Sequence, residues 1–262
     1  MPLVVLRPLV GLLRVCSCGA TVLVLLIAGC RHAETEGLPP GTTLEDLPEG
    51  ESWDVHLRST QDGRPTLEID APYLARYQRP DTTYIYLGPP PADSAGAARV
   101  RVRLFDGGGA PQATVEAAQA WFYPSDGRLV AEGAVRAEVT GGGGARIEAP
   151  GLTARTGGAF TATGGATADL AGRAQARVRA RTISGLGGRY EADGGAVVET
   201  SSGRRLESGR VVWSETAGRF SAPGAFAFTG PAERIRGVDL SATADLSRYT
   251  FRRASGQIEV QE

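Results

Sequence analysis

The chain has 262 residues, with 28 basic residues that are all arginine, 29 acidic residues and a formal net charge of −1. So even a balance excludes the electrostatic footprint of a nucleic-acid binder. With 36 glycines and only 6% aromatic residues, a thick globular core is excluded too, and a thin sheet with many turns is favoured.

Arg7 and Arg14 precede an uncharged run, Val15 to Gly29, which is shorter than the roughly 20 apolar residues a spanning helix needs. Residues 1–29 are therefore expected to be an export signal. Ile27-Ala28-Gly29-Cys30 resembles the lipobox of bacterial lipoproteins, in which the cysteine is acylated and becomes the first residue. The alternative is an uncleaved anchor helix in which Cys30 is merely small and apolar. Cys16 and Cys18 fall inside the signal, so the remaining chain would hold one blocked cysteine and no disulfide. Its basic residues would be Arg only, which suits phosphate recognition but also follows from a codon bias.

Residues 31–50, "RHAETEGLPPGTTLEDLPEG", lack hydrophobic periodicity and read as a tether after the lipidated Cys30. As a flexible coil they would span roughly 25 Å root mean square. A loop packed on the domain is the alternative.

From residue 51 to 262 the signals are strands and turns, without sustained helical periodicity. "WDVHL", "TLEID", "TTYIYL" and "RVRVRLF" alternate or carry β-branched and aromatic residues, and "QDGRP" and "FDGGGAP" separate them. Gly88 to Ala98 contains three successive prolines and is expected to be an insertion. A recurring unit follows, seen in "AEGAVRAEV", "ATGGATADL", "ADGGAVVET", "SAPGAFAFT" and "ASGQIEV", which align on Gly133, Gly165, Gly195, Gly224 and Gly256. Partner strands "ARIEAPGLTAR", "RRLESGRVVWS" and "ERIRGVDLSAT" complete units of about 30 residues that must stack to bury an apolar face. Leu206 and Val211 are five apart, as are Ile235 and Leu240, so a regular strand would point them to opposite faces. Gly209 and Gly237 lie between them, and a bulge there returns both to one interior. The expected fold is all-β: a folded-over antiparallel jellyroll or V-shaped sandwich of stacked hairpins with open ends. Its interior would be lined by Trp121, Val135, Val197, Val211, Trp213, Phe226, Phe228 and Leu240.

Catalytic constellations are lacking. Beyond the signal there are two histidines, His32 in the tether and His56 in the first strand, so no histidine triad or two-histidine metal site fits in the body. His56 is expected to face solvent. "TGGGGAR" and "GLGGRY" lack the lysine and the strand-to-helix context of a phosphate loop and read as turns. The expectation is a non-enzyme without cofactor or metal, whose device is an apolar interior that could take acyl chains.

The stretch Arg204 to Val260 resembles the C-terminal region of the LptC family, the periplasmic component of the lipopolysaccharide export ABC transporter, among the OstA-like jellyroll proteins. Leu206, Trp213 with Glu215, Phe220-Ser221, Ile235-Arg236-Gly237 and "DLSRYTFRRASGQIEV" carry it, and "ESWDVHL" and "PTLEIDAPYLARY" are similar to the start of that domain. The resemblance implies a membrane-tethered bridge that receives lipopolysaccharide from transporter membrane subunits of the LptF/LptG kind and passes it to a soluble LptA-like carrier. It implies a transporter-facing edge at Leu67 and Ile69 and a carrier-facing edge at Tyr249, Phe251, Ile258 and Val260. It also implies a periplasmic location at the inner membrane, to which the lipobox would anchor the chain by lipid, with the outer membrane as the alternative. Two departures stand out: a lipobox where many members keep a membrane helix, and a long region from Ala145 to Tyr190 that suggests one extra repeat. A structural or adhesive β-repeat lipoprotein with a closed core is the competing reading, and a stand-alone carrier of the same fold is a third.

Overall fold

A computed structural model describes residues 47–90, 99–140, 144–171 and 175–258. The chain divides after Thr43, and only the unit from Leu44 onward falls among these residues. The signal, Cys30, most of the tether and Val260 lie outside them. The start of the body falls slightly earlier than expected, because Glu49 already donates its amide to the Arg76 carbonyl at 2.8 Å.

Every described element is a strand or a turn. β1 (Gly50–Gln61) and β2 (Arg64–Arg79) form a hairpin across Asp62-Gly63, whose φ values of 52° and 76° are those a two-residue hairpin loop demands. β3 (Thr82–Gly88) and β4 (Val100–Phe105) both pair with β2, through Tyr73–Arg79 and Leu67–Asp70 respectively. They are one pass of chain interrupted by the proline-rich insertion. β5 (Pro111–Ala117) and β6 (Gln119–Tyr123) are likewise one pass broken at Ala118, since β7 (Arg128–Val139) pairs with both. A plain meander follows through β8 (Ala145–Arg155), β9 (Phe160–Leu170), β10 (Ala176–Leu186), β11 (Arg189–Thr200), β12 (Arg205–Ser214), β13 (Arg219–Thr229) and β14 (Glu233–Thr243). β15 (Tyr249–Thr250) and β16 (Arg253–Ile258) pair with the two halves of β14 as the last pass. The result is one antiparallel sheet of 16 strands, and because three passes are each interrupted once, it is a meander of thirteen passes. The region from Ala145 to Tyr190 is simply more of this meander.

The passes from β7 to β14 break at one level. Register shifts fall between Glu132 and Val135, Glu148 and Gly151, Arg179 and Thr182, Asp193 and Ala196, Ser208 and Val212, and Ala222 and Ala225. Two devices alternate. β7, β9, β11 and β13 place a short exposed stretch around Gly133, Gly165, Gly195 and Gly224, whose φ values of 82° to 94° a side chain rarely adopts. β8, β10, β12 and β14 instead switch parity, so that Leu206 and Ser208 are buried before the break and Val211 and Trp213 after it. The expected bulge between residues five apart is therefore present. Freed backbone groups are satisfied locally: Ser208 Oγ donates to the Ala225 carbonyl at 2.9 Å, and the Gly224 amide donates to Asp239 Oδ1 at 2.9 Å. Gly256 does not belong to the glycine series. It sits opposite Ile235, whereas the last pass breaks at Phe251 and Arg252, where the Arg252 amide reaches the Val238 carbonyl instead.

Both halves of the passes feed one buried apolar cluster that runs from Leu67 to Leu246. The opposite face of the half-strands before or after the break carries cross-strand ion pairs, such as Arg101–Glu116 at 2.7 Å, Arg103–Glu68 at 3.1 Å and Arg177–Asp169 at 2.7 Å. Many of the arginines are thus occupied by neighbouring carboxylates. Each exposed pair contributes about 0–1 kcal/mol, too little to hold the fold, which rests on the cluster.

Candidate functional site

The apolar interior is graded along the meander. Alanine dominates its middle, with Ala131, Ala137, Ala145, Ala162, Ala166 and Ala168 all less than 5% exposed. Bulky rings fill its C-terminal part: Trp213 and Phe220 lie 4.6 Å apart between centroids, and Phe228 and Tyr249 4.9 Å apart. Of the residues expected to line it, Val135, Val211, Trp213, Phe226, Phe228 and Leu240 are brought together in this cluster.

Trp121 and Val197 are not. Val197 lies between Ala196 and Val198, which are 1% and 0% exposed, and alternation turns it to the outer face opposite Arg179 and Glu207. Its parity with Glu199 was the available signal. Trp121 lies between the interior residues Ala120 and Phe122 and packs instead on Tyr86, 5.8 Å away. The expected N-terminal edge is also displaced. Leu67 and Ile69 are 5% and 1% exposed in the interior cluster, and β2 is no edge, because β1 pairs with one side of it and β3 and β4 with the other. The terminal strand is β1, which pairs only with β2 among the described residues and exposes Trp53. His56 is exposed as expected, with Nδ1 2.5 Å from Asp70 Oδ1.

At the other end, β15 and β16 form the terminal pass. Tyr249 and Phe251 stack at 6.1 Å, Phe251 reaches Phe226 at 6.2 Å, and the Tyr249 hydroxyl donates to Glu233. Burial first, then the Glu233 carboxylate, push the Tyr249 hydroxyl up to about 12. The backbone of Ile258 pairs with Glu233; its side chain lies outside the described residues, as do Val260 and Cys30.

Turns from opposite ends of the passes meet. A Cβ on Gly158 would collide with the Gln112 amide, although Gln112 opens β5 at one end and Gly158 closes the β8–β9 turn at the other. Gln112, Val139, Ala154 and Phe160 border a cavity of about 30 Å³ there, room for about two waters. The Gly144 amide faces the Glu215 carboxylate, again from opposite ends. Burial raises the pKa of Glu215 and that amide lowers it, with burial the larger effect. Neighbouring Tyr190 is pushed up to about 12 by burial and by Glu215.

A second aromatic group, unanticipated from the pattern of residues, stands outside the interior cluster. Trp53, Tyr73, Tyr86 and Trp121 form one cross-strand row with centroid spacings of 5.6, 6.2 and 5.8 Å. Tyr77, Tyr84 and Tyr123 form another, at 5.0 and 6.0 Å, with the Arg128 guanidinium 3.9 Å above Tyr123. Tyr73 is enclosed between Trp53, Tyr86 and Glu51, and burial holds its hydroxyl well above the usual tyrosine range.

Among the described residues no group of three or more His, Cys, Asp or Glu could hold a metal ion, and no helix is long and apolar enough to cross a membrane. Neither a protein-family model nor a curated protein matches the chain.

Proposed function

We propose that this protein is a membrane-tethered lipid-transfer bridge of the LptC kind, receiving lipopolysaccharide at its β1 end and passing it on at its β15–β16 end. In this reading the sheet is folded over along the line of register breaks into a V-shaped, open-ended jellyroll. The observation that carries it is a continuous apolar interior spanning the meander between two terminal strands that have no outer partner among the described residues. Such strands offer main-chain groups for β-augmentation by a transporter subunit on one side and a soluble carrier on the other. The resemblance of Arg204 to Val260 to that family gives the cargo.

Where the turns meet, the described interior is nearly filled. A cavity of about 30 Å³ cannot take an acyl chain, so loading parts the turn contacts at Gln112–Gly158 and Gly144–Glu215. The alanine-lined middle favours this, because separating small side chains forfeits few contacts, and each methylene taken in restores roughly 0.8 kcal/mol. Residues 1–46 supply the export signal and the acylated Cys30 in this account, and the membrane is the inner one.

The same filling supports a second reading, a structural β-repeat lipoprotein with a solid core. A benzophenone side chain at Phe228, irradiated in the native envelope, separates the two. Capture of lipopolysaccharide supports transfer, and crosslinks confined to protein support the solid core. Deleting the β9–β10 unit abolishes growth-supporting function in the first case and leaves it intact in the second.

A further inference from the structure

The outer aromatic rows are not explained by cargo in the interior. The inner face of the same strands is already satisfied by Leu87, Ala120 and Leu129, each at most 1% exposed. Yet the outer face of this one region holds five of the seven tyrosines and two of the three tryptophans of the whole sequence. Elsewhere that same outer row, read across the sheet, is Val130, Thr153, Thr161, Ser184, Glu191, Val212, Ser221 and Ser241, without a ring among them. So local a concentration of large rings on a sheet's outer face, half-buried against one another with Trp53 61% exposed over the enclosed Tyr73, indicates a contact surface.

Three observations choose the occupant. The rings of the Trp53–Trp121 row are inclined to one another by 58°, 61° and 58°, so they offer no coplanar platform for stacking sugar rings. Two of the nearby cations are matched by carboxylates, Arg76 by Glu49 at 3.4 Å and Arg128 by Asp126 at 3.1 Å, and a third, Arg79, lies 5.9 Å over the Tyr77 ring, so the face carries no cluster of cations for a polyanion. The chain enters the described structure at this face: the Glu49 amide bonds to Arg76, beside Tyr77. Sixteen residues separate Cys30 from Leu47, a reach of at most about 60 Å.

We propose that this face rests in the interfacial layer of the bilayer that anchors the chain. Trp53 and Trp121 bury their rings at the acyl boundary, and the hydroxyls of Tyr77 and Tyr123, with Arg128, stay at headgroup level, the division between apolar body and wet tip that such side chains show at interfaces. The consequence is orientation: β1 lies at the membrane and the β15–β16 end points away from it, toward a soluble partner. The inference rests on the lipidation reading, but it concerns the outer face and not the interior.

The test uses the full-length chain in phosphatidylcholine vesicles whose acyl chains carry bromine, a short-range quencher, with tryptophan emission as the readout. Strong quenching is expected in the wild type, unchanged by raised salt because rings rather than charges make the contact. Trp53→Phe, at a position 61% exposed, loses part of the quenchable component without risk to the fold. Trp53→Phe with Trp121→Phe leaves only the interior Trp213 and loses the rest. Unquenched wild-type emission overturns the proposal, as does quenching undiminished by the substitutions, or emission that shifts with soluble core oligosaccharide in place of brominated lipid. Interior crosslinking at Phe228 is independent of all these outcomes, so failure here and failure of the transfer reading are distinguishable.

Discussion

Two glycines on the line of register breaks should respond to alanine with opposite signs. Gly165 has φ of +94° and no atom within 4 Å of the point where a Cβ would stand, and Gly209 likewise has nothing within 4 Å but no positive φ. Space is therefore equal at the two sites, and only backbone conformation differs. At Gly165 alanine meets the left-handed penalty of about 1–2 kcal/mol. At Gly209 the backbone is one alanine adopts freely, and replacing a strand glycine recovers about 0.5–1 kcal/mol from the unfolded chain. For a domain of this size each kcal/mol moves Tm by about 2–4 °C. Gly165→Ala should thus lower Tm by about 2–8 °C and Gly209→Ala raise it by about 1–4 °C, measured by calorimetry or by tryptophan emission during heating. Shifts of the same sign would refute the alternation of glycine bulges and parity switches along the line of breaks.

Phe228, 1% exposed against Tyr249, should cost about 3–5 kcal/mol when cut to alanine, read as a shift in the denaturant midpoint; a loss near zero would show the C-terminal interior to be loose. Asp245 accepts from the Thr243 hydroxyl at 2.7 Å and from Ser247, which lower its pKa from 3.8 to about 2. Its depressed native pKa means stabilisation that is present above 3.8 and lost as pH falls toward 2, so Asp245→Asn should lower Tm near neutrality and match wild type at about pH 2. Glu215 has the opposite sign. Burial raises its native pKa above the ordinary 4.5, so its favourable contribution is full below 4.5 and is lost as pH rises through the native value. Glu215→Gln should therefore raise Tm near neutrality with no gain below pH 4.5, and a gain independent of pH would contradict the desolvation argument.

The line of register breaks was legible because it leaves a local mark: residues that share an interior stand five apart across a glycine, as Leu206 and Val211 do, and alternate passes repeat a glycine every 29 to 32 positions. The sheet's edge was not legible. "TLEIDAPYL" is the more apolar segment and invites the role of a docking strand, but Leu67, Ile69 and Ala71 are apolar because they face the interior cluster, and that its edge is taken by β1 is a property of pairing and not of composition. Trp121 could have been phased from Gln119, two residues before it on the same face of the strand. Val197 could have been phased from Glu199. The outer aromatic rows escaped because Trp53, Tyr73, Tyr86 and Trp121 are dispersed in sequence and meet only through cross-strand register.

Whether hydrocarbon enters between the two halves of the sheet is best decided by site-specific photo-crosslinking at paired positions in the native envelope. Benzophenone at Phe226 or Phe228 faces the interior, and at Val197 it faces outward. Lipopolysaccharide captured at Phe226 and Phe228 but not at Val197 is the predicted result. Capture at Val197 alone, or at none of the three, would contradict the account.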